Sequence, residues 1–376
     1  KLFWSEFKAR KLNFDCFKEK GNEEESKRRI EFCSRFFAFP EYCRCATPYP
    51  ISVDLAVKND VLSEIPVLIM GSNRPYYLIR CIESIISADN VHVDMIIVDI
   101  DQETPELIGV IKLFNIKQTL HSAVCSGECR ISEHYRLAFT NILNQFPSAN
   151  NVFIFEDDLI SSSDIFNYFS SKLDVYHADS SIFCVSAWND QAYIHSVGDL
   201  TMSYRIQHMP GLGLVLSRTI IKNLVSIWPK KRKMNWDAWI RESVISDRVC
   251  IIPDVSRTFH IGKFGLHSSS NFQKSYFSRR FFLAQINIKE YDSNLKKIEY
   301  KALVDHLAQY SETISDSRLA CNIVQDPQQT ELISSPLKIE QLVARSKKVF
   351  LNTHDSTNVF IRLFKCLSIW DLDLRG

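Results

Sequence analysis

The chain has 376 residues, 45% hydrophobic and 24% charged, with 25 Phe, 13 Tyr and 6 Trp, which is material for a large packed core and excludes a disordered chain. Forty-five Lys and Arg against 44 Asp and Glu leave a net charge of +1, so no global field draws the protein to nucleic acid or an anionic membrane. No apolar run approaches the ~20 residues of a membrane span, and the opening Lys1-Leu2-Phe3-Trp4-Ser5-Glu6 lacks the layout of a signal peptide.

Residues 1–32 read as a charged amphipathic helix with Glu23-Glu24-Glu25-Ser26-Lys27-Arg28-Arg29 as its polar middle. A Cys-rich turn with Cys33, Cys43 and Cys45 follows, then Pro40, Pro48 and Pro50 among its neighbours, so residues 1–62 are expected to form a linker. The eleven Cys do not show the paired C-x₂₋₄-C spacing of a zinc site, and disulfides of an oxidising compartment are the expectation. The basic runs Lys27-Arg28-Arg29 and Lys230-Lys231-Arg232-Lys233 read as solvated surface and are given no function.

At Ile65 the pattern changes. The apolar run Ile65–Gly71, the polar break Ser72-Asn73-Arg74-Pro75, a helix through Ile86 and the strand Asp94–Asp99 make a βαβ unit, which implies parallel pairing in a buried sheet. A second round follows: a helix over Ser132–Gln145, then the strand Asn151–Phe155 running straight into Glu156-Asp157-Asp158. Ligands of open α/β sheets bind beyond the carboxyl ends of the strands. Arg74, Asp101 and the carboxylate triplet all stand at such ends.

Three carboxylates after a buried apolar strand repel one another unless a cation neutralises them. Hard carboxylate oxygens suit Mg or Mn, which are commonly held by one or two protein carboxylates plus substrate phosphates. The competing reading is an N-cap cluster for a following helix. Met209-Pro210-Gly211-Leu212-Gly213 is a tight Gly turn without the phosphate-binding pattern of a P-loop or a dinucleotide fold, so neither a kinase nor a dehydrogenase is supported. Trp236-Asp237-Ala238-Trp239 sets one carboxylate between two aromatics, which can desolvate a general base and stack on a sugar; a helix start with core Trp neighbours is the structural alternative. His134-Tyr135-Arg136 can hold phosphate or a base, although each residue alone is as well explained structurally.

In order along the chain, Asn73-Arg74-Pro75, His134-Tyr135, Glu156-Asp157-Asp158-Leu159, Ser186–Gln191, Met209–Gly213, Trp236–Trp239 and Ile251–Arg257 resemble the β-1,2-N-acetylglucosaminyltransferases, from about Phe32 to Gly376. The blocks Cys250–Arg257 and Lys365–Gly376 lie nearer the O-mannose branch of that family than its N-glycan branch. The resemblance implies an α/β GT-A nucleotide-sugar fold with a mostly parallel central sheet, a catalytic domain over 63–320 and a C-terminal extension over 321–376 packed on it. It implies an inverting transfer of N-acetylglucosamine from UDP-GlcNAc to the 2-hydroxyl of mannose on a glycoprotein, with Asp237 as base and Mn2+ on Asp158. Arg74, Asp101, His134, Glu156, Asp157, Leu212 and Trp236 would then face the nucleotide sugar; Val98-Asp99-Ile100-Asp101 offers two carboxylates, of which Asp101 is the one matched. Also implied are a Cys184–Cys250 disulfide, a weaker Cys321–Cys366 pair, and a Golgi-lumenal enzyme whose membrane anchor and stem are absent from this stretch. Cys81, Cys125 and Cys129 match no position of the family, and no N-x-[ST] sequon occurs.

Overall fold

A computed structural model of the chain describes residues 23–302 apart from 37, 46–47, 52–59, 123–124, 194–196, 198, 230–234, 267–268, 289 and 292–294, together with Phe17, Glu312–Thr313 and Val349–Phe350. It is a mixed α/β structure around one eight-stranded sheet of order β3-β2-β1-β4-β8-β6-β9-β7. The first half contains β1 (Val67–Gly71), α2 (Pro75–Ile86), β2 (Ile96–Ile100), α3 (Pro105–Leu113), β3 (Lys117–Leu120), α4 (Glu128–Gln145) and β4 (Asn151–Glu156), of which α3 and β3 are additions to the elements read from the sequence and α4 starts one turn earlier than expected. Helix α1 (Glu23–Arg35) precedes them. Strands β1 to β4 pair in parallel.

After a short β5 (Leu159–Ser161), helix α5 (Ile165–Ala178) leads to β6 (Ile182–Ser186). Then β7 (Ser203–Ile206), β8 (Leu214–Ser217), helix α6 (Arg218–Ile227), the one-turn helix α7 (Trp236–Trp239) and β9 (Val249–Pro253) complete the sheet. Only β8 and β7 run antiparallel to their neighbours, so the sheet is mostly parallel. Strand β10 (Thr258–His260) pairs with β5 outside the main sheet, and α8 (Ser270–Ser275) follows it.

Alternation along the strands sorts the core into two faces. Val67, Ile69, Val98, Ile100, Phe153 and Phe155 pack toward α2, α3 and α5. Leu68, Met70, Ile97, Val152 and Ile154 pack toward α4, α6 and Trp236. By the same parity Asp99, Asp101 and Glu156 point to the α4 face, which is how side chains from two different strands come to share a helix.

The described part of the 1–62 stretch is packed: Phe32, Cys33, Phe36, Phe39 and Tyr42 are buried in the first of these cores. Arg29, read from the sequence as solvated, is 3% exposed because its guanidinium donates to the carbonyls of Tyr42 and Tyr49. The Cys184–Cys250 bond is present, joining β6 to β9 at directly paired positions. Cys33–Cys43 and Cys125–Cys129 are also bonded, Cys45 is disulfide-bonded, and Cys81 on α2 is the one free, buried thiol among the described residues. The Cys321–Cys366 pair, the Lys230–Lys233 run and the 321–376 extension, save Val349–Phe350, lie outside the described residues.

Candidate active site

The carboxylate triplet is not a helix cap. Glu156 ends β4, Asp157 and Asp158 form a turn, and the next element is the strand β5; the following helix begins only after Asp164. The three side chains have separate tasks. Parity sends Glu156 to the α4 side, where its Oε1 accepts from the Tyr135 hydroxyl at 2.5 Å; burial and the charge of Asp158 raise its pKa.

Asp157 is wholly buried and accepts from the Ser72 backbone N–H at 3.0 Å and from Arg74. The sequence places it among residues facing the nucleotide sugar; the structure turns it inward, where it ties the β1 loop to the β4 turn and orients Arg74. Asp158 is 3% exposed and its Oδ2 accepts from Arg74 Nη1 at 2.7 Å, with His260 Nε2 3.4 Å away. Burial would raise its carboxyl, but His260 and Arg74 outweigh burial and bring it down to about 2.

The repulsion anticipated from the sequence is thus partly offset by an arginine and a histidine, while the charge of Asp158 still raises the pKa of its two neighbours. Among the described residues no three His, Cys, Asp or Glu side chains converge on a metal position. Asp158 Oδ1, however, is buried and has no hydrogen-bond partner. That free oxygen is suited to a divalent ion held by a single protein carboxylate and completed by substrate phosphate oxygens, whose negative charge would offset the nearby Arg74 and His260.

Gly262 closes this corner: a Cβ there would stand 2.4 Å from Asp158 Oδ2 and 2.9 Å from His260 Cε1. Gly262→Ala is expected to leave the protein folded but displace Asp158. Overpacking costs about 1–3 kcal/mol of stability, read as a lowered Tm, and the displaced carboxylate should also weaken donor affinity measured by calorimetry; an unchanged affinity would show that Asp158 does not touch the donor.

A second cluster lies at the end of β2. Asp99 is 1% exposed and sits 2.9 Å from Nε2 of both His121 and His134, with Thr119 also donating to it. Asp101, next on the same face, accepts from Arg130 at 2.7 Å, and the His134 Nδ1 is 3.8 Å away. Burial opposes ionisation of Asp101, yet Arg130 and His134 hold its carboxyl below the usual range. Both carboxylates offered by Val98–Asp101 thus belong to one network, with Asp99 orienting His134 and Asp101 nearer the surface. Arg130 and His121 escaped the sequence reading; Arg130 stands four residues before His134, the spacing that puts two side chains on one helical face.

Asp237 lies on α7, capped by Asn235, whose side chain accepts from the Asp237 and Ala238 N–H groups. The sequence suggests a carboxylate desolvated between two tryptophans. In the structure Trp236 stacks on Tyr135 at 3.9 Å and Trp239 packs edge-on to Trp228. Its side chain is 33% exposed and accepts from Arg241 at 2.7 Å. The contact chain Trp236, Tyr135, Glu156 links α7 to the carboxylate turn. Arg136, by contrast, pairs with the half-buried Glu133 three residues before it.

Leu212 lies in a strained turn: Gly211, Leu212 and Gly213 all have positive φ, at 76°, 52° and 98°. Positive φ is costly for a leucine, and its carbonyl is held by Thr258 Oγ1 at 2.6 Å.

The model of the GNT-I family matches residues 46–330, which spans both clusters and the α7 helix. The chain belongs to the GNT-I family. It is 30% identical over 190 residues to the alpha-1,3-mannosyl-glycoprotein 2-beta-N-acetylglucosaminyltransferase of Arabidopsis thaliana, a match covering 50% of this chain and 41% of that protein. The matched stretch is thus about two fifths of that relative's length. Among solved structures, this GNT-I family chain is similar to S. aureus TarS residues 1–349 at 11% identity and TM-score 0.40, covering 56% and 62% of the two chains. It is similar to GalNAc-T7 with UDP, GalNAc and Mn2+ at 13% identity and TM-score 0.35, covering 76% and 54%. Likenesses of that strength leave the reaction open.

Proposed function

We propose that this GNT-I family chain is an inverting glycosyltransferase of GT-A type that moves N-acetylglucosamine from UDP-GlcNAc to the 2-hydroxyl of a mannose on a glycoprotein. The observation that carries the proposal is the buried, unpartnered Oδ1 of Asp158, walled by Arg74 and His260 beyond the ends of three parallel strands. Family membership and the name of the Arabidopsis relative support the choice of sugar and acceptor.

Asp158 is the residue suited to hold Mn2+, which when bound would stabilise the charge gathering on the departing diphosphate. Arg74, steered by Asp157, supplies a fixed positive charge to that same oxyanion. Asp101, His134 and the Arg130 beside them bind the uridine side, while Glu156, Leu212 and Trp236 shape the donor sugar's surroundings. Asp237 takes the proton of the mannose hydroxyl as its oxygen attacks the anomeric carbon on the face opposite UDP, inverting it in one displacement. Asp237 must exchange Arg241 for the hydroxyl, and its partial exposure leaves it reachable.

The disulfides fit an oxidising compartment, in keeping with a Golgi lumenal location. No helix of the described residues is long and apolar enough to cross a membrane. For the acceptor, the blocks at Cys250–Arg257 and Lys365–Gly376 favour O-linked mannose. The name of the Arabidopsis relative favours an N-glycan mannose as the second reading. Radiolabel transfer to an O-mannosyl peptide and to a high-mannose N-glycan, side by side, should label the peptide in preference. Labelling of the N-glycan alone selects the second reading, and labelling of neither would leave a sugar-binding relative without transfer.

A further inference from the structure

Beside the carboxylate turn, sharing Arg74 with it, lies a cavity of about 1050 Å³. Its walls are the first turns of α2 and the segment from β10 into α8, joined where the Lys263 N–H donates to the Tyr77 hydroxyl at 3.0 Å. None of the residues assigned above to the nucleotide sugar except Arg74 lines it, and neither does Asp237. The volume is at the upper end for small-molecule sites, roomier than one monosaccharide needs.

Its charge is one-sided. Arg80, Lys263 and Lys274 reach it, and no Asp or Glu is among its described lining residues. Arg80 shares its guanidinium with Glu83 at 3.3 Å, whereas neither lysine has a salt-bridge partner among the described residues. Tyr76 at 54% exposure and Phe264 at 70% add two large, open aromatic surfaces at the same place. Arg74 faces Asp157 and Asp158 on the turn side and Arg80 is shared with Glu83, so the unbalanced charge in the cavity comes mainly from Lys263 and Lys274.

We propose that this groove is a docking site for an acidic segment of the acceptor's polypeptide, distinct from the sites for the two reacting sugars. The inference rests on the transferase reading above in one respect, that the protein acts on a glycosylated polypeptide. Three cations without lining carboxylates complement Asp and Glu side chains, and the exposed aromatics suit the apolar side chains between them. A chain held there lies against the Arg74 wall that the groove shares with the carboxylate turn, so docking would raise the local concentration of the attached mannose.

The test compares wild type with the triple variant Arg80→Glu, Lys263→Glu, Lys274→Glu on three substrates: a mannosyl peptide with acidic flanks, the same peptide with neutral flanks, and a simple methyl mannoside. Reversal of rim charges acts mainly on encounter and affinity, so KM for the acidic glycopeptide should rise about ten- to a hundredfold, and less at high salt. The kcat, the KM for UDP-GlcNAc and the use of methyl mannoside should be unchanged, which separates failure of the groove from failure of the transferase reading. A fluorescent acidic peptide without sugar should bind wild type and not the variant, a readout independent of transfer. Equal use of acidic and neutral glycopeptides by wild type, an equal loss on all three substrates, or peptide binding that survives charge reversal would each overturn the proposal.

Discussion

Asp158→Asn will remove transfer while leaving a folded protein. The substitution keeps the shape of the side chain but withdraws the charge facing Arg74 and His260 and weakens the one carboxylate oxygen free for an ion. Arg74 still has Asp157, so no arginine is left buried without a partner, and a cooperative melt should persist. Burial works against a charged His260 and Asp158 is the largest influence that raises its pKa, ahead of Gln273 and Glu156, so the variant should bring that pKa down. Loss of a fixed group that stabilises developing charge costs roughly 10²–10³-fold in rate. Because the same oxygen would serve ground-state binding, donor affinity and turnover should fall together, seen as weaker UDP-GlcNAc binding by calorimetry and lower kcat. Near-normal activity, or wild-type transfer in excess chelator, would overturn the metal assignment.

Asp237→Asn has the opposite signature. Positioned proton transfer contributes about 10²–10⁴-fold, and kcat should drop by that factor with donor affinity nearly intact. The Arg241 contact gives a control, since Asn still accepts a hydrogen bond from Arg241 and the α7 turn remains capped by Asn235. If donor binding falls as far as in Asp158→Asn, Asp237 belongs to the donor site. Unreduced kcat would place the base elsewhere.

What could be read in the sequence was local in origin. The alternation of apolar strands with amphipathic helices from Ile65 to Glu156 fixes parallel pairing, and strand parity then brings Asp99, Asp101 and Glu156 to one face. The carboxylate turn was visible because its three members are adjacent. The division of labour among them was not, since it depends on Arg74, 83 residues before Asp157, and on His260, which enters only when β10 pairs with β5. Likewise the tryptophans beside Asp237 looked like its covering because sequence gives proximity without direction; Tyr135, on α4, claims Trp236. Strands β7 and β8 went unread because their pairing is antiparallel and joins segments remote in the chain.

Cys81 makes the floor of the site observable without altering it. Its thiol is fully buried on α2, with Sγ 3.5 Å from the carbonyl of Glu156, and burial pushes its pKa well above that of an ordinary cysteine. A thiol reagent can therefore reach it only when the packing of α2 beneath the carboxylate turn opens, and the other described cysteines, held in disulfides, stay silent. The rate at which Cys81 is labelled is a clock for that opening, and it can be read on the unmodified protein with and without UDP-GlcNAc.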